Sequence, residues 1–201
     1  MTISAKYDRV RSFAFEQIES VFVEKYPELD GKLRLTDISN GAMKFFRNEW
    51  KCHPDPSRMS GTYERWSELR TTYRSRFNKR LELAIWHEEQ LCCVMLGRVS
   101  RRNSITGLYF VDGNNGTALL KGRRLEIATA YLDAFSILLG IEWIAIRNPY
   151  SAVEPLYKAL GYTEKDPHDR NLDALCKRYD LNTLLLAEPN GSAEDRKIAN
   201  F

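Results

Sequence analysis

The spacing of apolar residues along the chain changes at about residue 80. Before that point apolar side chains recur every three or four positions, which is typical of one face of a helix. After it they alternate with polar residues over short runs, which indicates strands, and a second long helical pattern follows. In chain order the pattern predicts a helix at 9–26, a strand at 33–35, a helix ending at 50, a loop at 53–57, a helix at 61–80, strands at 81–86, 91–99 and 105–111, a helix at 117–139, a strand at 141–146, a helix at 151–160 and a strand at 175–181.

The connections between these elements predict the topology of a sheet. The first three strands after residue 80 are joined by turns too short for crossovers, so they form an antiparallel meander. The long helix that follows requires a parallel crossover to the next strand. The sequence therefore predicts an α/β (α+β) fold with a mixed central sheet flanked by helices. We expect three parts: an N-terminal helical elaboration at 1–80 packed on the same domain, a core at 81–188 and a polar C-terminal tail at 189–201.

Several local features refine this prediction. Asp37 and Ser39 are suitable N-caps for the helix that ends near Trp50. Gly97 predicts a bend or bulge in the middle strand of the meander. Cys92 and Cys93 are neighbours in the same strand, so their side chains are expected on opposite faces of the sheet.

Composition excludes some classes of protein. The chain has 201 residues, 43% hydrophobic residues and a formal net charge of +3, which fits one globular domain and gives no general reason to bind nucleic acid. No secretory signal and no membrane-spanning run is expected. The four cysteines form no CxxC pair, so we expect no metal site and reduced thiols in a cytoplasmic protein.

Two runs of residues resemble the motifs of a known family. Leu156–Tyr162 reads LYKALGY and resembles the L-Y-x-x-x-G-(F/Y) motif of GNAT-type N-acetyltransferases. The strand, loop, long helix and strand from Leu108 to Ile146 resemble the acyl-CoA-binding motif of the same family. In that family the parallel pair of strands splays apart and the pantetheine arm of the cofactor lies between them. The resemblance implies an acyltransferase that moves an acetyl group, or another acyl group, from acyl-CoA to an amine.

The resemblance also implies roles for individual residues. Tyr157 would protonate the leaving thiolate, and Asp112, at the end of the strand before the long helix, is the preferred general base. The backbone of Tyr109, Phe110 and Val111 would pair with the cofactor. An asparagine that family members often carry seven residues before the tyrosine is replaced here by Tyr150, and Asn148 lies two residues earlier.

The loop that should hold the cofactor's pyrophosphate departs from the family. The family pattern is (Q/R)-x-x-G-x-(G/A), whereas this chain has Lys121-Gly122-Arg123-Arg124-Leu125-Glu126. Arg124 and Glu126 therefore stand where small residues are expected. Three interpretations are open: the basic side chains bind phosphate by charge, the loop containing Asn115 and Gly116 supplies the cradle, or cofactor binding has been lost.

Other expectations concern the base and the partners. Alternative general bases are Glu82, His87, Glu88 and Glu89. The basic helix at 61–80 interleaves arginines with Tyr63, Trp66, Tyr73 and Phe77, so nucleic acid is a possible partner through phosphate contacts and stacking. A homodimer contact through the N-terminal 80 residues is a further option. The alternative to an enzyme is an inactive binding module with this fold for a protein or nucleic acid, or a relative that modifies a nucleic-acid base.

Overall fold

The computed structural model describes residues 3–50 and 65–181. Its helices are α1 (Ile3–Lys25), α2 (Asn40–Glu49), α3 (Trp66–Arg76), α4 (Arg124–Leu138) and α5 (Glu154–Ala159), with a 3-10 turn at Pro27–Leu29. Its strands are β1 (Leu33–Thr36), β2 (Arg80–His87), β3 (Gln90–Val99), β4 (Ile105–Gly113), β5 (Trp143–Arg147) and β6 (Ala174–Arg178). The predicted loop at 53–57, the start of the helix at 61–80 and the tail at 189–201 lie outside the described residues. None of the described helices is long and apolar enough to cross a lipid bilayer.

The six strands form one sheet in the order in which they occur along the chain. Neighbouring strands are antiparallel except β4 and β5, which pair in parallel because α4 connects them as a crossover. This arrangement confirms the predicted mixed sheet, with an antiparallel meander before a parallel pair.

Helices cover both faces of the sheet. One core cluster joins α1 and α4 to the first face, around Phe15, Tyr131 and Phe135. The second cluster joins α2 and α3 to the opposite face, around Phe46 and Trp66. The helices before residue 80 therefore lie on both faces of the same sheet. The division into a core, an elaboration and a tail stays a prediction.

A bulge in β3 corrects the expectation for the two adjacent cysteines. Ile85 pairs with Cys93 and Trp86 pairs with Leu91, so Cys92 is an extra residue without a partner on β2. The extra residue interrupts the alternation of side chains, and both thiols are buried in the core cluster of the α1 and α4 face. The predicted placement of Cys92 and Cys93 on opposite faces is wrong for this reason.

A second bulge lies in β4 and confirms the irregularity predicted at Gly97. Gly97 pairs with Leu108 and Leu96 pairs with Phe110, so Tyr109 is the extra residue. A Cβ atom at Gly97 would lie 2.5 Å from the carbonyl oxygen of Gly107 and 2.6 Å from Cδ2 of Leu81. Only glycine lets the two strands approach this closely at the bulge.

The long helix begins later than its apolar pattern predicts. Residues 119–123 form turns, and α4 starts at Arg124 rather than at Thr117. Leu120 and Gly122 have φ angles of 54° and 83°, in the left-handed region that interrupts a right-handed helix. The predicted start at Thr117 is therefore wrong by seven residues.

Buried ion pairs link the N-terminal helices to the sheet. Arg11 is only 1% exposed and donates to both carboxylate oxygens of Asp37, at 2.7 and 3.1 Å. Asp37 is thus an ion-pair partner, whereas Ser39 is the N-cap of α2 and accepts from the amide of Ala42. Glu82 is fully buried and binds both Arg74 and Arg80, at 3.0 and 3.1 Å. Such pairs become costly when one partner is removed, because the other charge stays buried.

The close approach at Gly97 gives a first prediction. Replacing Gly97 with Ala should lower the free energy of unfolding by about 1–3 kcal/mol, since the new methyl group overlaps the backbone of β4. Chemical denaturation monitored by circular dichroism would measure the change. Gly41→Ala is the matched control, because its nearest atom, Oγ of Ser39, is 3.4 Å from the new Cβ. Equal stability of the two variants would contradict the proposed close approach.

Candidate functional site

The candidate site is the gap that opens between β4 and β5. The two strands pair only from Ile105 with Trp143 to Leu108 with Ile146. Beyond that point β4 continues for five residues to Gly113, whereas β5 ends at Arg147. The divergence begins directly at the Tyr109 bulge, and bulges bend the strand that carries them. The edge of β4 from 109 to 113 is therefore left without a pairing strand on the β5 side.

Tyr157 lies on α5, the helix that follows β5. Only 2% of its surface is exposed, and its ring makes an edge contact with Tyr162 at 6.2 Å between centroids. It belongs to the same core cluster as Cys93, on the face of the sheet that α1 and α4 cover. Burial raises the pKa of the Tyr157 hydroxyl well above its usual value, so it stays protonated at neutral pH.

The loop after β4 is fastened to the sheet by Asn114. Its backbone amide donates to the carbonyl of Cys92 at 2.8 Å, and its side-chain amide donates to the carbonyl of Leu91 at 3.1 Å. Its side-chain oxygen accepts from the amide of Gly116 at 2.9 Å. Asn115 and Gly116 follow as exposed residues. One buried side chain thus sets the direction in which the loop leaves the strand.

Arg124 holds the same loop from the other end. Its guanidinium donates to the carbonyl oxygens of Asn114 at 2.5 Å, Thr117 at 2.5 Å and Leu119 at 2.6 Å. Cδ of Arg124 also lies 3.5 Å from the place where a Cβ of Gly113 would be. The arginine that replaces a small residue of the family pattern therefore folds back into the loop and satisfies its carbonyl groups.

The first turn of α4 keeps free backbone donors. The amides of Leu125 and Glu126 have no hydrogen-bond partner in the part of the chain that the structure describes. The carboxylate of Glu126 accepts from Lys25 at 2.6 Å and from the hydroxyl of Tyr26 at 3.4 Å. It is thus neutralised by the end of α1 and does not approach those amides as a cap. A helix start with free amides is a suitable place for an anion.

The other basic residues of this loop differ in their surroundings. Arg123 donates to Glu28 at 2.8 Å and lies 4.0 Å from the ring centroid of Tyr26. Lys121 is exposed beside Gly122, which has a left-handed backbone. Lys121 is the one of the three cations at 121, 123 and 124 whose side chain makes no ion pair or hydrogen bond to a described residue.

Asp112 lies on the opposite face of the sheet from Tyr157. Its carboxylate accepts from the indole N–H of the buried Trp66 at 2.5 Å, at the start of α3. The other candidate bases are placed differently. Glu82 is buried and paired with two arginines, so it is not a free base. His87, Glu88 and Glu89 lie at the turn between β2 and β3.

Asn148 is the first residue after β5. It is exposed, has a left-handed φ angle of 48° and donates its amide to the carbonyl of Asp173 at 2.9 Å. Tyr150, which occupies the asparagine position of the family, is 63% exposed. Both residues therefore lie in the loop between β5 and α5.

The three described aromatic residues of the basic helix pack against the sheet, whereas Tyr63 lies outside the described residues. Trp66 and Tyr73 are buried in the second core cluster, and Phe77 packs against it. Arg70 donates to the carbonyl of Ile38, and Arg74 is paired with Glu82. Base stacking on Trp66 or Tyr73 is therefore excluded, and nucleic-acid binding and a homodimer stay predictions. No group of potential metal ligands occurs among the described residues.

Comparison with known proteins identifies the fold of this chain. No family model matches the sequence, and no curated protein matches it. A chimera of the Vibrio cholerae spermidine N-acetyltransferase and hSSAT superposes with a TM-score of 0.52 at 14% identity, covering 77% of this chain and 98% of the other. An acetyltransferase from Thermus thermophilus gives a TM-score of 0.51 at 14% identity, with 74% and 97% covered. The chain has the GNAT fold. At this identity the likeness concerns the fold alone, and it confirms the architecture that the two motifs implied.

Within the GNAT fold, two neighbours of the predicted site residues were missed from the sequence. Cys93 shares the core cluster of Tyr157, and no pattern in the apolar run marks it as a neighbour of that residue. Trp66 meets Asp112 because α3 runs along β4. A tryptophan on an otherwise basic helix was the available signal, and it marks a buried contact rather than a stacking surface.

The contacts of Arg124 give a second prediction. Arg124→Ala removes charged donors from three loop carbonyls, and such hydrogen bonds contribute about 1.5–3 kcal/mol each. The amides of residues 114–119 should then exchange with solvent roughly tenfold faster or more, as measured by hydrogen–deuterium exchange. Lys121→Ala is the control and should leave their exchange unchanged. Unchanged exchange in Arg124→Ala would show that the loop does not depend on the guanidinium.

Proposed function

We propose that this protein is an N-acyltransferase that moves an acyl group, in the simplest case acetyl, from acyl-CoA to an acceptor amine. The observation that carries the proposal is the open edge of β4 at 109–113, which one loop connects to the free amides at the start of α4. Tyr157 is buried in the core cluster on the face that α4 covers. An extended chain with alternating amide groups can add to such an edge as a further strand. The pantetheine arm of coenzyme A has this chemistry.

The neighbouring residues suit the other parts of the cofactor. The pyrophosphate would bind the amides of Leu125 and Glu126, assisted by the positive end of the helix dipole and by the charge of Lys121. Asn115, Gly116 and Gly122 would form the backbone beside it, and Asn148 would border the gap on the β5 side. Arg123 and Arg124 would contribute their charge rather than hydrogen bonds to the phosphates, because Glu28 and the loop carbonyls already accept from their guanidinium groups.

The reaction would be a direct transfer. The acceptor nitrogen attacks the carbonyl carbon of the thioester, a C–N bond forms, and the C–S bond breaks with the electron pair leaving on sulfur. The backbone of Phe110 and Val111 would stabilise the carbonyl oxygen. Asp112 would accept the proton of the attacking amine, and Tyr157 would donate its hydroxyl proton, or a hydrogen bond, to the leaving sulfur.

Acetyl-CoA binding is the first test of this function. Isothermal titration calorimetry with acetyl-CoA at about 0.3 mM protein should show saturable binding. Enzymes ordinarily bind their substrates with constants between about 1 μM and 1 mM, and this protein concentration lies within that range. Absence of heat at that concentration, together with no acylation of any amine in a broad panel followed by mass spectrometry, would reject the enzyme and favour the binding module.

Tyr157 gives a second test, which concerns turnover. Tyr157→Phe should lower kcat roughly 10²–10⁴-fold while acetyl-CoA affinity changes little, because the hydroxyl is needed at the leaving group. The raised pKa of Tyr157 means that its ionisation should not limit kcat below about pH 10. Tyr150→Phe is the control, since Tyr150 is 63% exposed. Equal loss in both variants, or none in Tyr157→Phe, would remove Tyr157 from the mechanism.

A further inference from the structure

Asp112 is held by a side chain that does not belong to the sheet. Trp66, the first residue of α3, is fully buried, and its indole Nε1–H donates to Oδ2 of Asp112 at 2.5 Å. The Trp66 ring is itself packed in the second core cluster, where its centroid lies 6.3 Å from that of Phe46 on α2. The hydrogen-bond donor therefore has a fixed position on the face of the sheet that α2 and α3 cover.

The strand neighbours of Asp112 on this face are apolar. Val94 pairs with Asp112 across β3 and β4 and is fully buried, and Phe110, two residues earlier on β4, packs against the same cluster. Apolar contacts of this kind do not select one rotation of a carboxylate, because the last torsion of an aspartate has a broad distribution. The directional hydrogen bond from the indole supplies the orientation that packing alone does not.

The chemistry of the indole suits this task. Its N–H group donates a hydrogen bond and accepts none, so it does not compete for the proton that Asp112 is proposed to receive from the amine. Each carboxylate oxygen accepts more than one hydrogen bond, so the contact with Trp66 leaves Asp112 able to take that proton. A buried N–H group without an acceptor is costly, and Trp66 and Asp112 therefore stabilise each other's placement.

The location of Asp112 connects this contact with the proposed reaction. Asp112 lies within the open edge of β4 at 109–113, where the thioester would bind. A carboxylate oriented there is oriented relative to the reacting atoms. The contact comes from α3, so a helix before residue 80 takes part in arranging a group on the sheet.

We propose that Trp66 is a positioning residue for acyl transfer: its indole N–H fixes Asp112 so that the carboxylate meets the acceptor amine in one orientation. As the C–N bond forms, the amine would lose its proton to Asp112, and Trp66 would keep its own. Without the N–H group the carboxylate would be present in several orientations, and a misplacement of about 1 Å can lower a rate about 100-fold. The inference rests on the proposed function, because Trp66 acts through the base of that reaction.

A kinetic double-mutant cycle tests this inference, with acetyl-CoA and the amine that the wild type acylates fastest. Trp66→Phe should lower kcat roughly 10–100-fold at nearly constant KM for acetyl-CoA, because Asp112 is proposed to act on the amine and not to bind the cofactor. In Asp112→Asn, which has lost the base, the same substitution should lower kcat no further. A residue that only stabilises the fold would lower kcat equally in both backgrounds.

Trp86→Phe is the matched control for this cycle. Trp86 belongs to the same core cluster, but its indole donates to the hydroxyl of Thr36 at 3.1 Å, on the far side of β2 from β4. Folded Trp86→Phe should therefore keep the kcat of the wild type. An equal loss from Trp66→Phe in both backgrounds, or a wild-type kcat in folded Trp66→Phe, would overturn the inference.

Nuclear magnetic resonance tests the contact without relying on turnover. The chain has four tryptophans, and the indole Nε1–H signal of Trp66 should shift in Asp112→Ala while that of Trp86 stays in place. An unmoved Trp66 signal would overturn the inference even if Trp66→Phe fails to fold, and acylation by the wild type would then leave the proposed function intact. A moved signal in a protein that acylates no amine would reject the proposed function, and the catalytic role of Trp66 with it. Thermal denaturation of each variant checks that it remains folded.

Discussion

The bulge of β4 at Tyr109 is the constraint on which the site depends. It places an extra residue in β4 opposite Gly97, where the two strands come closer than any side chain would allow. Because the strand bends there, pairing with β5 stops at Leu108 and the last part of β4 keeps an open edge. β5 ends at Arg147, one residue after its last pair, so the gap begins where the bulge of β4 and the end of β5 coincide.

The loop beside this gap shows how a change in a motif can be absorbed. Glycine at the position of Arg124 would let the backbone approach a phosphate closely, but it would leave the loop carbonyls to solvent. Arg124 binds those carbonyls instead, and Glu126 is neutralised by Lys25 rather than turned towards the helix start. The two free amides of the first turn remain. Both substitutions that contradict the family pattern are therefore compatible with an anion at this helix.

The strand order and the helix that carries the LYKALGY run were predictable, because they depend on connection length, burial and local spacing. The two turns between β2 and β4 and the long crossover admit few topologies, and the structure has the expected one. The bulges were less accessible. Residues 91–96 of β3 are buried on both faces, so an unbroken apolar run hides the extra residue at Cys92. The late start of α4 was hidden in a similar way, since Leu119 and Leu120 continue the helical pattern although Leu120 is left-handed. The aromatic residues of α3 had a correct spacing but an incorrect interpretation, because only packing shows which side of a helix faces the sheet.

The two faces of the sheet would hold different parts of the proposed reaction. Tyr157, Cys93 and the start of α4 belong to the face of α1 and α4, where the leaving sulfur and the phosphates would lie. Asp112 and Tyr109 belong to the face of α2 and α3. The open edge of β4 is the place where groups from both faces can meet. A donor entering from one face and an acceptor from the other would therefore react across the thickness of the sheet, at the edge that begins with the bulge at Tyr109.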